Sequence, residues 1–133
     1  MPARILIVED NAANLQLVEY LLKVSGHQTL AATDGAEGVR LALEQPPDLV
    51  ICDLQMPVLN GYEVLQRLRE DSALRTIPVI AVTAFSMPGD RERVIQAGFD
   101  GYLTKPIEPE TFVLRIEVHL PPEKRSSGVQ RRN

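Results

Sequence analysis

The chain has 133 residues, 44% of them hydrophobic and 24% charged, which suits one soluble domain large enough to bury a core. No apolar run approaches the roughly 20 residues that a membrane-spanning helix needs, and no signal-peptide pattern opens the chain, so a cytoplasmic protein without a membrane partner is expected. The net charge of −4 is unevenly placed: in residues 121–133 Lys124, Arg125, Arg131 and Arg132 stand against Glu123, a sum of +3, which leaves −7 on residues 1–120 and argues against direct nucleic-acid binding.

In chain order, the first apolar run is Ile5 to Val8, aliphatic and without polar alternation, as expected of a strand covered on both faces. A helix follows, with Asn11 as N-cap and Leu15, Val18, Leu21 and Leu22 on one face. Thr29 to Ala32 is the second run, and Ala36, Val39, Ala42 and Leu43 mark the second helix. The third run, Leu49 to Cys52, contains the only cysteine, which excludes an internal disulfide and reads as a small buried hydrophobe. His27 and His119 lack the cysteine partners and spacing of a zinc site. Tyr62, Leu65 and Leu68 mark the third helix, with Gly61 in a tight turn before it. Val79 to Val82 is the fourth run, and a fourth helix is expected from Ser86, with Pro88 in its first turn and Gly98 at its end. Gly101 to Leu103 is the fifth run. The last helix is expected from about Pro109, with Phe112, Val113 and Ile116 inward, ending before Pro121 and Pro122.

Strand and helix thus alternate five times, the pattern of a doubly wound α/β domain with a parallel sheet and helices on both faces. The expected organisation is one domain over residues 1–120 and a basic disordered tail, or the start of a linker, over 121–133. In such a sheet the residues just past each strand gather on one rim, where ligands bind. Glu9 and Asp10 follow the first run, Asp53 the third, Thr83 the fourth, and Thr104, Lys105 and Pro106 the fifth. Three carboxylates crowded together repel one another unless a cation sits among them. Glu9, Asp10, Asp53 and Lys105 sum to −2, which one divalent cation balances, and an all-oxygen donor set favours Mg²⁺, or Mn²⁺ in its place. Mg²⁺ among carboxylates points to phosphoryl chemistry.

Val8-Glu9-Asp10-Asn11, Asp53-Leu54-Gln55-Met56-Pro57 with Asn60-Gly61, Val82-Thr83-Ala84 and Lys105-Pro106 together resemble the motifs of the response regulator receiver family of two-component signalling, over about residues 3–120. The resemblance implies a flavodoxin-like (CheY-like) fold of five parallel strands in the order 2-1-3-4-5 with five helices. It implies that Asp53 is the phosphoacceptor and also a metal ligand, with Asp10 binding Mg²⁺ directly, Glu9 through a water, and Gln55 through its backbone carbonyl. Lys105, the Thr83 hydroxyl and the Ala84 backbone would contact the phosphoryl group, whose added charge of about −1.5 to −2 gives Thr83 and Lys105 new partners. Thr83 and Tyr102 would form the switch, reshaping the surface of the fourth helix, fifth strand and fifth helix. Lys105-Pro106 is the expected cis peptide, and Gln55 and Phe85 would tune dephosphorylation. Glu9 with Asp10 departs from the commoner Asp-Asp pair, lengthening one carboxylate arm.

The implied function is a phosphorylation-dependent switch, not an enzyme beyond self-phosphorylation and self-dephosphorylation. Its partners would be a histidine kinase or histidine phosphotransfer protein and a downstream protein target, and its state a monomer or a phosphorylation-dependent dimer. Val82 to Met87 resembles receivers of stand-alone cell-cycle regulators (DivK-like) and of hybrid kinases, so a receiver fragment of a longer response regulator or hybrid kinase is the alternative. An Asp-nucleophile phosphatase would need a general acid two residues after Asp53, where Gln55 stands. A flavodoxin-like binding protein would not place Glu9 and Asp10 where a flavin phosphate sits.

Overall fold

The computed structural model of the chain describes residues 2–84 and 87–126. Five strands alternate with five helices: β1 (Arg4–Val8), α1 (Ala12–Val24), β2 (Gln28–Ala32), α2 (Gly35–Glu44), β3 (Leu49–Asp53), α3 (Gly61–Glu70), β4 (Val79–Thr83), α4 (Asp90–Ala97), β5 (Gly101–Thr104) and α5 (Pro109–Glu117). The strands form one sheet in the order β2-β1-β3-β4-β5, every adjacent pair parallel. The expected fold class is the one observed.

Successive residues of a strand point to opposite faces, and the buried strands serve two cores. Leu6, Val8, Val50, Cys52, Val79 and Ala81 pack with Ala42, Val64, Leu65, Leu68 and Val94 from α2, α3 and α4. Ile5, Ile7, Leu49, Ile51, Ile80 and Val82 pack with Val18, Leu22, Phe112 and Ile116 from α1 and α5. Because both faces are covered, the central strands carry no polar alternation. Cys52 is fully buried, and burial pushes its thiol well above the ordinary value, so it is the inert core residue its apolar neighbours suggest.

The local signal acts as expected at the first helix, and a further cap stands at the third. The Asn11 side chain accepts from Asn14 N at 3.0 Å, and Asn60 with Glu63 forms a reciprocal capping box at α3. Three expectations are corrected. The inward face of α2 is Gly35, Gly38 and Ala42 with Val39 half-buried, whereas Ala36 and Leu43 are exposed. A Cβ placed on Gly38 would come within 2.7 Å of a Val8 methyl, so the helix approaches β1 through residues that give no hydrophobic signal. The fourth helix begins at Asp90, not at Ser86, because Gly89 has a left-handed φ of 90° that a continuous right-handed helix cannot contain. Pro88 lies in the preceding turn, closed by Asp90 N to Met87 O at 3.0 Å. Ser86 itself, like Phe85, lies outside the described residues.

The start of the expected tail is folded on to the domain. Pro122–Lys124 form a 3₁₀ turn, Lys124 Nζ lies 3.6 Å from Asp48, and Arg125 Nε donates to Leu120 O at 3.1 Å.

Candidate functional site

Parallel pairing brings the ends of β1, β3, β4 and β5 to one rim. Strands β3, β4 and β5 run one residue further than their apolar runs, so Asp53, Thr83 and Thr104 are final strand residues. Backbone bonds fix the rim: Glu9 N donates to Ala32 O (3.0 Å), Leu54 N to Val82 O (2.9 Å) and Lys105 N to Thr83 O (2.8 Å). The Lys105–Pro106 peptide is cis, as expected. Gly61 admits the start of α3 against the end of β3, since a Cβ there would lie 2.6 Å from Asp53 O.

Glu9 and Asp53 are 5% and 3% exposed, whereas Asp10 is exposed. Ligand oxygens of these three carboxylates all lie within 4.8 Å of one another. Lys105 Nζ stands between two of them, 3.1 Å from Glu9 Oε2 and 3.1 Å from Asp53 Oδ2. Glu9 Oε2 also accepts from Asn11 N at 3.1 Å, and Asp53 Oδ1 from Gln55 N at 3.2 Å. One ammonium therefore serves two buried carboxylates. Burial, and then the neighbouring Asp53 charge, raise the Glu9 carboxyl above its ordinary value against the pull of Lys105. Burial works against the Lys105 ammonium too, but its bonds to Glu9 and Asp53 outweigh that and hold it above the ordinary lysine value.

The residue set fits a divalent cation: three carboxylates converge, all donors are oxygen, and the pocket holds less positive than negative charge. Asp10, Asp53 and Glu9 are the side chains that would hold it.

Thr83 is 2% exposed, and its hydroxyl donates to Gln55 Oε1 at 2.9 Å. Sequence reasoning gave Gln55 a backbone role and a part in hydrolysis but missed this side-chain bond, which joins residues 28 apart and leaves no local signal. Ala84 is exposed beside Thr83. Tyr102, half-buried, pairs in register with Ala81, and with Thr83, Gln55, Tyr62 and Val94 it borders a cavity of about 150 Å³. The positions expected on the rim are thus brought together, with Tyr102 one layer below; Phe85 is outside the described residues.

The family profile of the response regulator receiver domain matches residues 5–117. The chain belongs to that family. The receiver is 45% identical over 120 residues to the polar-differentiation response regulator DivK of Brucella anthropi, covering 90% of this chain and 98% of that protein. Among solved structures it is similar to the receiver domain of the sensor histidine kinase PA1611 from Pseudomonas aeruginosa, with a magnesium ion coordinated in its active site cleft (TM-score 0.80, 35% identity, 89% of this chain and 97% of that one). It is similar also to the Vibrio cholerae chemotaxis protein CheY4 (TM-score 0.84, 29% identity, 90% and 100%). The receiver is a two-component signalling domain of the DivK-like kind, and receivers of this family act as signalling switches. Among the described residues no helix is long and apolar enough to cross a membrane.

Proposed function

We propose that Asp53 accepts a phosphoryl group from a phosphohistidine of a histidine kinase or histidine phosphotransfer protein, and that the resulting acyl phosphate alters a protein-binding surface. The observation that carries this reading is the Asp53 carboxylate itself. It is 3% exposed yet lies at a strand end on the ligand rim, bonded to Lys105 and beside two further carboxylates. In the transfer an Asp53 carboxylate oxygen forms a bond to phosphorus while the bond from phosphorus to the donor imidazole nitrogen breaks. The electron pair leaves with the imidazole, and the protein positions the groups around a largely dissociative transition state.

Asp10 and Asp53 would hold Mg²⁺ (or Mn²⁺) directly, Glu9 through a water, and Gln55 through its backbone carbonyl. When bound, the ion neutralises carboxylate charge and lets an anionic phosphoryl group approach. Lys105 then exchanges a carboxylate oxygen for a phosphoryl oxygen as a point charge. The Thr83 hydroxyl and the Ala84 backbone N–H complete the cradle. Contacts made only after phosphorylation are what shift a two-state equilibrium: Thr83 moves toward the phosphoryl group, and Tyr102 turns into the space beside it. The responding surface is that of α4, β5 and α5, where Ile95, Leu114 and Val118 are exposed and meet the downstream protein.

Self-phosphorylation from small donors and self-dephosphorylation belong to the same reading, with Gln55 and Phe85 as the tuning pair. So do a cytoplasmic location and a monomer or phosphorylation-dependent dimer. Incubation with acetyl phosphate or phosphoramidate and Mg²⁺, followed by intact mass, is expected to add one phosphoryl group to the native chain and none to Asp53→Asn. Equal uptake by the two proteins would sink the assignment.

A further inference from the structure

A hydroxyl carries a single proton to donate. In this structure Thr83 gives that proton to Gln55 Oε1 at 2.9 Å. The Gln55 backbone N–H donates to Asp53 Oδ1 at 3.2 Å, so Gln55 is tied to Asp53 by its main chain and to Thr83 by its side chain. Thr83 is buried at the end of β4, and the bond lies beside the small cavity that Tyr102 borders.

We propose that Gln55 is a positioning residue that braces the receiver in its resting state, by holding the Thr83 hydroxyl away from the place where it would meet a phosphoryl oxygen. The inference rests on the reading of Asp53 as phosphoacceptor and adds to it an energetic opponent. Thr83 cannot donate to Gln55 and to a phosphoryl oxygen at once, so every activation event breaks the brace. The free energy of that bond is subtracted from what phosphorylation supplies to the switch. A binding-competent state populated only in part weakens apparent affinity by that fraction, and a change that frees it restores the affinity. Gln55 is exposed, so water partly replaces the bond once it opens, and the brace has the modest strength of one neutral hydrogen bond. That corresponds to a roughly two- to tenfold bias. This effect is separate from any influence of Gln55 on a hydrolytic water, because it acts before a phosphoryl group is present.

The test uses beryllium fluoride with Mg²⁺, a phosphoryl mimic that is not hydrolysed, on the full chain. Its affinity is measured for the native protein, Gln55→Met (similar length, no acceptor), Gln55→Ala, Thr83→Val (similar shape, no hydroxyl) and the Gln55→Met/Thr83→Val double variant. The Thr83 methyl resonance is followed in the proteins that retain Thr83. We expect both Gln55 variants to bind the mimic roughly two- to tenfold more tightly than the native chain. In the unliganded variants the Thr83 methyl signal should be displaced toward its liganded position. In the Thr83→Val background the Gln55 change should have no effect, because the gain acts through the hydroxyl. Unchanged or weaker binding in the Gln55 variants, an unmoved methyl signal, or a gain that persists without the hydroxyl would overturn the brace. Failure of the native protein to take up the mimic would instead overturn the phosphoacceptor reading on which it rests.

Discussion

At the carboxyl edge of the sheet Glu9 and Asp53 share the ammonium of Lys105, whereas at the opposite edge a single buried carboxylate, Glu117, receives three donors. His27 Nε2 lies 2.6 Å from Glu117 Oε2, with both side chains 1% exposed. Ser126 donates its N–H at 2.7 Å and its hydroxyl at 3.1 Å. His27 Nδ1 accepts from Ala3 N at 3.1 Å, which leaves Nε2 to face Glu117. Every oxygen of Glu117 is thereby satisfied by groups the chain supplies. The rim has more carboxylate than cation, and one of its carboxyls is lifted by burial and a like charge. A lone buried carboxylate whose donors the chain itself supplies holds a fold together; several like charges crowded at one rim are prepared for a cation from outside.

The contrast is sharpest where one partner is removed. His27→Leu is expected to cost about 3 kcal/mol in urea unfolding, because it leaves the Glu117 carboxylate buried and short of a donor. Adding Glu117→Met should recover much of that loss. A single variant as stable as the native chain would mean that the opposite-edge cluster is not structural.

Mg²⁺ should act only at the rim. At a concentration of 100 times its Kd it is expected to stabilise the protein by about 2.7 kcal/mol at neutral pH, and by progressively less in acid. The sign follows from Glu9: its folded value lies above the ordinary 4.5, so folding takes up a proton between the two values. The penalty of an ionised Glu9 is absent below the lower value and fully felt above the raised one. Mg²⁺ relieves that penalty only when the carboxyl is ionised. Thermal unfolding with and without Mg²⁺ across this range measures the effect, and a gain independent of pH would break the link to Glu9. Lys105 acts in the opposite sense: its contribution is present below 10.5 and lost as pH rises through its raised folded value.

Replacing a buried charge at the rim should have the reverse sign from the opposite edge. Asp53→Asn removes the like charge beside Glu9 and is expected to stabilise the metal-free protein by about 1 kcal/mol, as changes that relieve a functional site often do. The same variant should lose the Mg²⁺ gain. Destabilisation as large as that of His27→Leu would erase the distinction between the clusters.

An effect of similar size, confined to one backbone angle, is expected in the loop after Asp53. Val58 is 98% exposed and has a φ of 68°, a left-handed backbone that a β-branched residue adopts at a cost. Val58→Asn should raise the urea midpoint by the equivalent of about 1 kcal/mol without altering Mg²⁺ binding. If the midpoint falls, Val58 makes a contact that compensates its strain.

How much of this was legible before folding depends on whether the signal is local. The central strands announced themselves because burial on both faces makes Leu49 to Cys52 and Val79 to Val82 continuous apolar runs. Asn11 marked a helix start because caps act within one turn. Gly35 and Gly38 concealed the inward face of α2, since a close approach made by lacking a side chain has no hydropathy. Gly89 displaced the start of α4 through a backbone angle that the surrounding composition does not announce.

By itself the sequence determined the alternation of strand and helix, the apolar strands at the centre of the sheet, and the residues that a parallel sheet must deliver to its carboxyl edge. The reason is that burial, periodicity and strand direction are carried by neighbours along the chain. Only the tertiary structure decided which polar atoms meet: Lys105 between Glu9 and Asp53, Gln55 on Thr83, and His27 on Glu117 across 90 positions. A hydrogen bond between distant segments depends on angstrom-level placement of side chains by packing, and no residue's own type or spacing encodes its partner.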